Sequence, residues 1–368
     1  MIETDEELEA LVEDLRAAPR FALDTESNSM HAYRERICLV QVSVPGRDVL
    51  VDPLVVDLSP LGPLLADPGI TKVMHGADYD ILCFKRQHGF AFSGLFDTMI
   101  AARVLGWAAY GLGSILAKSH GFRANKKMQR FDWGQRPLPE HALDYARYDT
   151  HFLLDLADQQ RADLESMDRE DVLEHACLRQ TLVEPRPTRA ETLGAWRVKG
   201  ARDLATSERG VFMALYELRE AVAKEIDRPV FRVMADALLI SMARKPPANE
   251  HALADIRGLH PRLRGKGRAR VMAAIEAGLE ADPPRPPPRE KGLPRDERKR
   301  FDDLRGWRKA MAEELELAPD IIIGKEALLV LASAMPKDEA ELKACGALDD
   351  WEMERYGERL LKELKSFW

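Results

Sequence analysis

Phe21-Ala22-Leu23-Asp24-Thr25-Glu26, followed ten residues later by Ile37-Cys38-Leu39-Val40-Gln41-Val42-Ser43-Val44, decides the architecture of the first half of the chain. The first run is apolar and ends on two acids. The second is β-branched along most of its length, and both read as strands. Pro45-Gly46-Arg47-Asp48 reads as a turn and Val49-Leu50-Val51 as a third strand, which predicts an antiparallel meander. Before it, residues 1–16 carry Leu8, Leu11, Val12 and Leu15 at helical spacing. After it the pattern alternates: a helix over about 58–66, a strand at Lys72-Val73-Met74, a helix over about 78–89, then helices to about 180. Strands first and helix-flanked strands later predict an α/β domain with a mixed sheet flanked by helices.

Two stretches divide the rest. Glu184-Pro185-Arg186-Pro187 closes the first region, and Asp282-Pro283-Pro284-Arg285-Pro286-Pro287-Pro288 is a semi-rigid spacer. The expected divisions are a front domain over 1–183, a linker over 184–199, a helical segment over 200–280, a proline-rich linker over 281–295 and a second helical segment over 296–368. The two small all-α segments read as diverged copies. Ala223-Lys224-Glu225-Ile226 recurs as Ala312-Glu313-Glu314-Leu315 and Ala237-Leu238-Leu239 as Ala327-Leu328-Leu329, a period of about ninety residues.

With 54 Lys and Arg against 62 Asp and Glu, the net charge of −8 argues against a surface coated in nucleic-acid-binding charge. Local basic strips remain open, as do acids serving as metal ligands. A hydrophobic share of 45% excludes a largely disordered chain. No apolar run reaches the ~20 residues of a membrane helix, so no membrane partner is expected. The first twenty residues are acidic, unlike a secretory leader. Cys38, Cys83, Cys177 and Cys345 are far apart and read as reduced, mostly buried thiols, which suits a cytoplasmic protein. Neither a Walker loop nor G-x-G-x-x-G occurs, so no nucleotide cofactor is expected.

Asp24 and Glu26 share one face of their strand. Carboxylates held so closely repel unless protons or a cation intervene, and a hard divalent cation prefers oxygen ligands. Met74-His75-Gly76-Ala77-Asp78-Tyr79-Asp80 is a strand entering a helix with two acids in its first turn, where the helix dipole also favours them. In Leu143-Asp144-Tyr145-Ala146-Arg147-Tyr148-Asp149, Tyr145 and Asp149 stand at i and i+4 on one helix face.

D-T-E on a strand, H-x4-D at a helix start and Y-x3-D on a later helix together resemble the DEDDy 3′–5′ exonucleases, which have a ribonuclease H-like fold. Phe131-Asp132-Trp133-Gly134-Gln135-Arg136-Pro137-Leu138-Pro139 and Gly94-Leu95-Phe96-Asp97-Thr98 are similar to the ribonuclease D family. Tyr216-Glu217-Leu218-Arg219 with Asp227-Arg228-Pro229-Val230-Phe231-Arg232-Val233 resembles an HRDC domain; the second copy, with Asp320-Ile321-Ile322, does so more weakly. The resemblance implies catalytic metal ligands at Asp24, Glu26, Asp80 and Asp149, with Asp78 the near miss, and a water-positioning role for Tyr145. It implies two divalent ions, Mg²⁺ or Mn²⁺, and a metal-dependent 3′–5′ exoribonuclease acting on single-stranded tails of structured RNA such as tRNA precursors. The same chemistry on DNA, and a non-catalytic nucleic-acid-binding protein, stay open at this point. Ser27 to Arg36 departs from the family pattern.

Two basic strips are candidate nucleic-acid contacts. Residues 118–136 hold Lys118, Arg123, Lys126, Lys127, Arg130 and Arg136, interleaved with Phe131 and Trp133. Trp133 reads as either core or a base-stacking face. Residues 257–270 hold Arg257, Arg262, Arg264, Lys266, Arg268 and Arg270 between Gly258, Gly265 and Gly267, which suits phosphate contact. His75 is a further candidate, either touching the terminal nucleotide or packing.

Overall fold

A computed structural model describes residues 1–122, 126–185, 187, 193–288 and 292–367. Its first helix, α1 (Asp5–Ala17), starts where the Thr4 side chain accepts from the Glu7 amide, and it buries the Leu8, Leu11, Val12 and Leu15 stripe. The three expected strands follow as β1 (Arg20–Ser27), β2 (Ile37–Val44) and β3 (Arg47–Val51), paired antiparallel. β4 (Thr71–Met74) joins β1 in parallel and β5 (Leu95–Asp97) joins β4 in parallel, giving the order β3-β2-β1-β4-β5. The sheet is mixed, as its sequence pattern predicts, and β1 lies at its centre.

Alternation along β1 sorts its residues between two cores. Phe21 and Leu23 pack with α1 and with α2 (Gly62–Ala66), while Ala22 packs with Ala101 and Ala102 of α4 (Thr98–Val104) and Leu156 of α7 (Leu153–Ser166). Asp24 and Glu26 have the parity of Ala22. The remaining helices of this domain are α3 (Asp78–His88), α5 (Leu112–Ser119), α6 (Glu140–His151) and α8 (Glu170–Thr181). Ala142 and Ala146 of α6 pack on Cys38, Leu39 and Leu50 of β2 and β3.

The first helical copy comprises α9 (Thr206–Glu225), α10 (Val230–Val233), α11 (Asp236–Arg244), α12 (Glu250–Ala254) and α13 (Arg268–Glu280). The second repeats it as α14 (Arg295–Leu315), α15 (Pro319–Ile322), α16 (Lys325–Ala334), α17 (Glu339–Ala344) and α18 (Asp350–Leu364). The first four helices of each copy start 89 residues apart and the fifth only 82. The difference lies in one connection. Before α13 the chain makes two short turns, Pro261–Leu263 and Gly265–Gly267, where before α18 it passes directly through 345–349. The glycine-punctuated basic loop therefore belongs to the first copy alone. Gly267 is obligatory there, because a Cβ would lie 1.9 Å from the Arg262 carbonyl oxygen.

Both copies dock on the front domain, at different places. Ile321 of the second copy is buried in the cluster formed by Ala102, Leu173 and Cys177. Beside it His175 Nε2 and Asp349 Oδ2 are 2.6 Å apart, the His175 ring stacks 4.1 Å from that of Trp351, and Arg179 pairs with Glu352 at 3.0 Å. The first copy is held by the segment that departs from the family pattern. The Tyr33 amide donates to Asp227 and the Tyr33 hydroxyl to Glu220, both at 3.1 Å. Arg36 pairs with Asp227 at 3.0 Å.

Cys38, Cys83 and Cys177 are buried and Cys345 partly so, all four as free thiols. No helix among the described residues is long and apolar enough to cross a membrane. Residues 186, 188–192 and 289–291 of the two expected linkers lie outside the described residues.

Candidate active site

Three elements bring the sequence-predicted residues together. Asp24 and Glu26 stand at the carboxyl end of β1, opposite Gln41 and Leu39 of β2. Asp80 lies in the first turn of α3, and Tyr145 and Asp149 face the sheet from α6. Asp80 is buried, whereas Asp24, Glu26 and Asp149 are half-buried, so water reaches three of the four acids.

The turn delivering Asp80 is fixed by Asp97, a wholly buried carboxylate. It accepts from the amides of Gly76 at 2.9 Å and Ala77 at 2.8 Å, and from Met99 at 2.8 Å and Ile100 at 3.2 Å. One side chain thus caps α4 and holds the entry to α3. Gly76 takes a φ of +68° there, and a Cβ would meet Met99 Cε at 2.7 Å. The Thr25 hydroxyl adds a direct bond from β1 to Asp80.

Burial raises all four carboxyls, and Asp80 adds to the rise of the other three. Burial, then Asp80, Asp149 and Glu26, push Asp24 well above the ordinary carboxylate range. Burial, Asp149 and Asp80 raise Glu26 to about 9. Asp149 rises to about 7 through burial and then Asp80. Asp80 also rises to about 7, through burial that the Thr25 hydroxyl partly opposes. None of the four forms an ion pair with a basic side chain among the described residues. Burial and then Asp149, Glu26 and Asp24 hold the Tyr145 phenol above its ordinary value, so it is a donor at neutral pH.

Four carboxyls without a basic partner, kept from ionising together by burial and proximity, form an all-oxygen set that fits hard divalent ions. Among the described residues the one trio of ligand-type atoms within 4.8 Å lies elsewhere, at His175, Asp349 and Glu352. There the atoms are already engaged. Asp349 bonds His175, Arg179 sits on Glu352, and Asp349 and Glu352 cap each other's backbone at the start of α18. That trio is a docking clasp. No three of the four acids bring ligand oxygens within 4.8 Å of one another in this ion-free structure.

The other predicted residues separate into groups. Trp133 is 1% exposed and its ring centroid lies 6.2 Å from that of Tyr145, so it backs the tyrosine and has no free face for a base. Arg136 is committed to the buried Asp52 at 2.6 Å and to the Cys38 and Trp133 carbonyls at 2.7 and 2.8 Å. The expected nucleic-acid contact of Arg136 is corrected to a structural role, and Trp133 takes the core alternative of the two its sequence left open. His75 Nδ1 bonds Thr98 Oγ1 at 2.8 Å, and burial lowers the ring's pKa. Lys127 and Arg130 are exposed, while Arg123 and the Lys126 side chain lie outside the described residues. In the second strip Arg262 pairs with Glu225 at 3.6 Å and Arg264 donates to the Leu259 carbonyl at 2.6 Å, whereas Lys266 is exposed at the tip and Arg268 half-exposed. Sequence reasoning missed Thr25, whose strand parity is opposite to that of Asp24 and Glu26. It quoted Asp97 only within a motif.

Residues 1–165 match the profile of a 3′-5′ exonuclease family, and residues 208–275 and 297–364 each match the HRDC domain. Ribonuclease D of Gluconacetobacter diazotrophicus is 32% identical over 340 residues, 90% of this chain and 86% of that one. The chain belongs to the ribonuclease D family. Ribonuclease D of Pseudomonas paraeruginosa is 31% identical across 99% of this chain and 97% of its own. The crystal structure of Escherichia coli RNase D, described as an exoribonuclease involved in structured RNA processing, superposes with a TM-score of 0.66 at 26% identity, covering 97% and 98% of the two chains. As a member of the ribonuclease D family the chain is a 3′–5′ exoribonuclease, a hydrolase of a metal-dependent family.

Proposed function

We propose that Asp24, Glu26, Asp80 and Asp149 hold two divalent ions, Mg²⁺ or Mn²⁺, and that the site removes nucleotides one at a time from RNA 3′ ends as nucleoside 5′-monophosphates. The observation that carries this reading is the convergence of four carboxyls from β1, α3 and α6 with no basic partner among the described residues, close enough that Asp80 raises the pKa of the other three. Bound there, the ions would clamp the scissile phosphate and lower the pKa of a water nucleophile. Tyr145, protonated and beside three of the acids, donates from its phenol and orients that nucleophile. Thr25 and Asp97 act through Asp80, the first by its hydroxyl and the second by fixing the turn that precedes it. We assign single-stranded tails of structured RNA, including tRNA precursors, as substrates, because the Escherichia coli relative is described as processing structured RNA. The free thiols fit a cytoplasmic location.

The test is a 5′-labelled RNA and its matched DNA, each incubated with Mg²⁺, Mn²⁺ or EDTA. Stepwise shortening of RNA with either ion and none in EDTA is expected. Shortening of DNA alone would move the substrate assignment, and shortening in EDTA would end the metal assignment.

A further inference from the structure

The junction between the front domain and the first helical copy contains a cavity of about 410 Å³ lined by His31, Arg228, Pro229, Arg232 and His260. Four of these five residues are basic, and they converge from three separate places. His31 comes from the docking segment after Glu26, Arg228 and Arg232 flank the start of α10, and His260 begins the glycine-punctuated loop. Arg228 is 54% exposed; it reaches the His31 carbonyl at 3.3 Å and Asp132 at 3.5 Å. Asp132 also lies 3.7 Å from His31, and it is the acid that contacts this set. Arg232 is exposed, and its guanidinium lies 5.7 Å from the ring centroid of Phe231, itself 52% exposed.

The cavity also has a position. On one side its wall is the segment that leaves β1 after Glu26, since His31 lies on it, and Asp132, which contacts His31 and Arg228, directly precedes Trp133, whose ring backs Tyr145. On the other it adjoins the basic loop, since the Arg262 amide donates to His260 Nδ1 at 3.2 Å. A concave basic site with an exposed aromatic at its edge suits a phosphate and its base better than a globular protein surface, which would meet it with a larger apolar core.

We propose that this junction cavity is a phosphate subsite for the RNA chain upstream of the terminal nucleotide, with Arg228 and Arg232 as its main donors and Phe231 as a stacking face. It rests on the exoribonuclease reading for its substrate, but it is tested by binding rather than by turnover. Through His260 the subsite borders the start of the glycine-punctuated basic loop. It gives the segment Ser27–Arg36 a second task beyond docking, that of forming one wall of the path.

The experiment uses the full-length chain carrying Asp149→Asn, to suppress hydrolysis, with a fluorescent single-stranded RNA of a dozen nucleotides titrated at several salt concentrations. Adding Arg232→Glu should weaken binding roughly tenfold and lower the slope of log affinity against log salt by about 0.7, the value of one lost single-strand phosphate contact. Arg232→Lys, which keeps the charge, should restore most of that slope. Phe231→Ala should weaken binding and leave the slope unchanged. Lys309→Glu, on the exposed face of α14, is the control for net charge and should change neither quantity. An unchanged affinity and slope in Arg232→Glu would overturn the subsite. So would loss of binding to a poly-glutamate peptide with RNA binding intact, since that marks a dock for an acidic protein. Failure of wild-type hydrolysis together with the expected slope change would sink the enzymatic reading and leave the subsite standing.

Discussion

The hydroxyl of Thr25 donates to Oδ1 of Asp80, so the middle residue of the D-T-E strand end bonds directly to the acid on α3. It is the one side-chain contact that opposes the upward shift of Asp80. Thr25→Val keeps the strand propensity and shape and removes the donor. We expect kcat to fall by roughly tenfold, equivalent to ~1.4 kcal/mol, and the acid limb of the pH–rate profile to move to higher pH. A Thr25→Val enzyme with wild-type kcat and pH profile would remove Thr25 from the site.

Asp78 and Asp80 share a helix turn but not an environment. Asp80 is 7% exposed among the other acids, and Asp78 is exposed. Asp80→Asn should lose at least about a hundredfold in rate, while Asp78→Asn stays within a few-fold, measured on the same 3′-end substrate.

Tyr145 and Tyr148 provide a second comparison. Tyr148 is 38% exposed and packs on Phe122 with ring centroids 4.4 Å apart, away from the acids. Tyr145→Phe should lower kcat by roughly 10- to 100-fold with little change in KM. Tyr148→Phe should be mild, and equal effects would mean that the wrong helix face has been assigned.

Asp80 and Asp149 are raised to about 7 and Glu26 to about 9, from ordinary values of 3.8 and 4.5. Between about pH 4 and about pH 9 the ion-free folded protein therefore binds more protons than the unfolded chain, so its stability falls as pH rises through that window. In EDTA the Tm should drop from about pH 5 to about pH 8.5; added Mn²⁺ should counteract the drop most strongly at the alkaline end. A flat Tm in EDTA would contradict the repulsion among these carboxyls.

In the basic loop the structure distinguishes residues that sequence treats alike. Arg262 is paired with Glu225 and Arg264 with a backbone carbonyl, while Lys266 is exposed and the half-exposed Arg268 has no ion pair among the described residues. Lys266→Ala with Arg268→Ala should lower the salt slope of RNA binding by about 1.4, twice the single-contact value. Arg262→Ala with Arg264→Ala should lower it less. The reverse order would mean that the loop rearranges when RNA binds.

The mixed sheet was legible because β-branched runs and a Pro-Gly turn dictate a meander, and the observed pairing follows them. The convergence of the acids was legible because strand and helix periods set which residues share a face. Arg136 was misread because its partner, the buried Asp52, lies 84 residues away and no local pattern links them. Trp133 posed a different problem, since an aromatic between basic residues has the same local signature whether it faces solvent or core. The clasp of His175 with Asp349 spans 174 residues and joins two domains, beyond the reach of any periodicity.

The burial of Ile321 beside Leu173 and Cys177 bears on how this protein is made. The nuclease domain leaves the ribosome first, yet one part of its hydrophobic wall is encoded about 150 residues after Leu173. At about 5–20 residues per second that seat stays uncovered for on the order of ten seconds or more. Each nascent chain thus passes through an interval in which the catalytic acids have emerged while an apolar surface is still open, the stage at which chains of this kind are most prone to associate with one another or to recruit a chaperone.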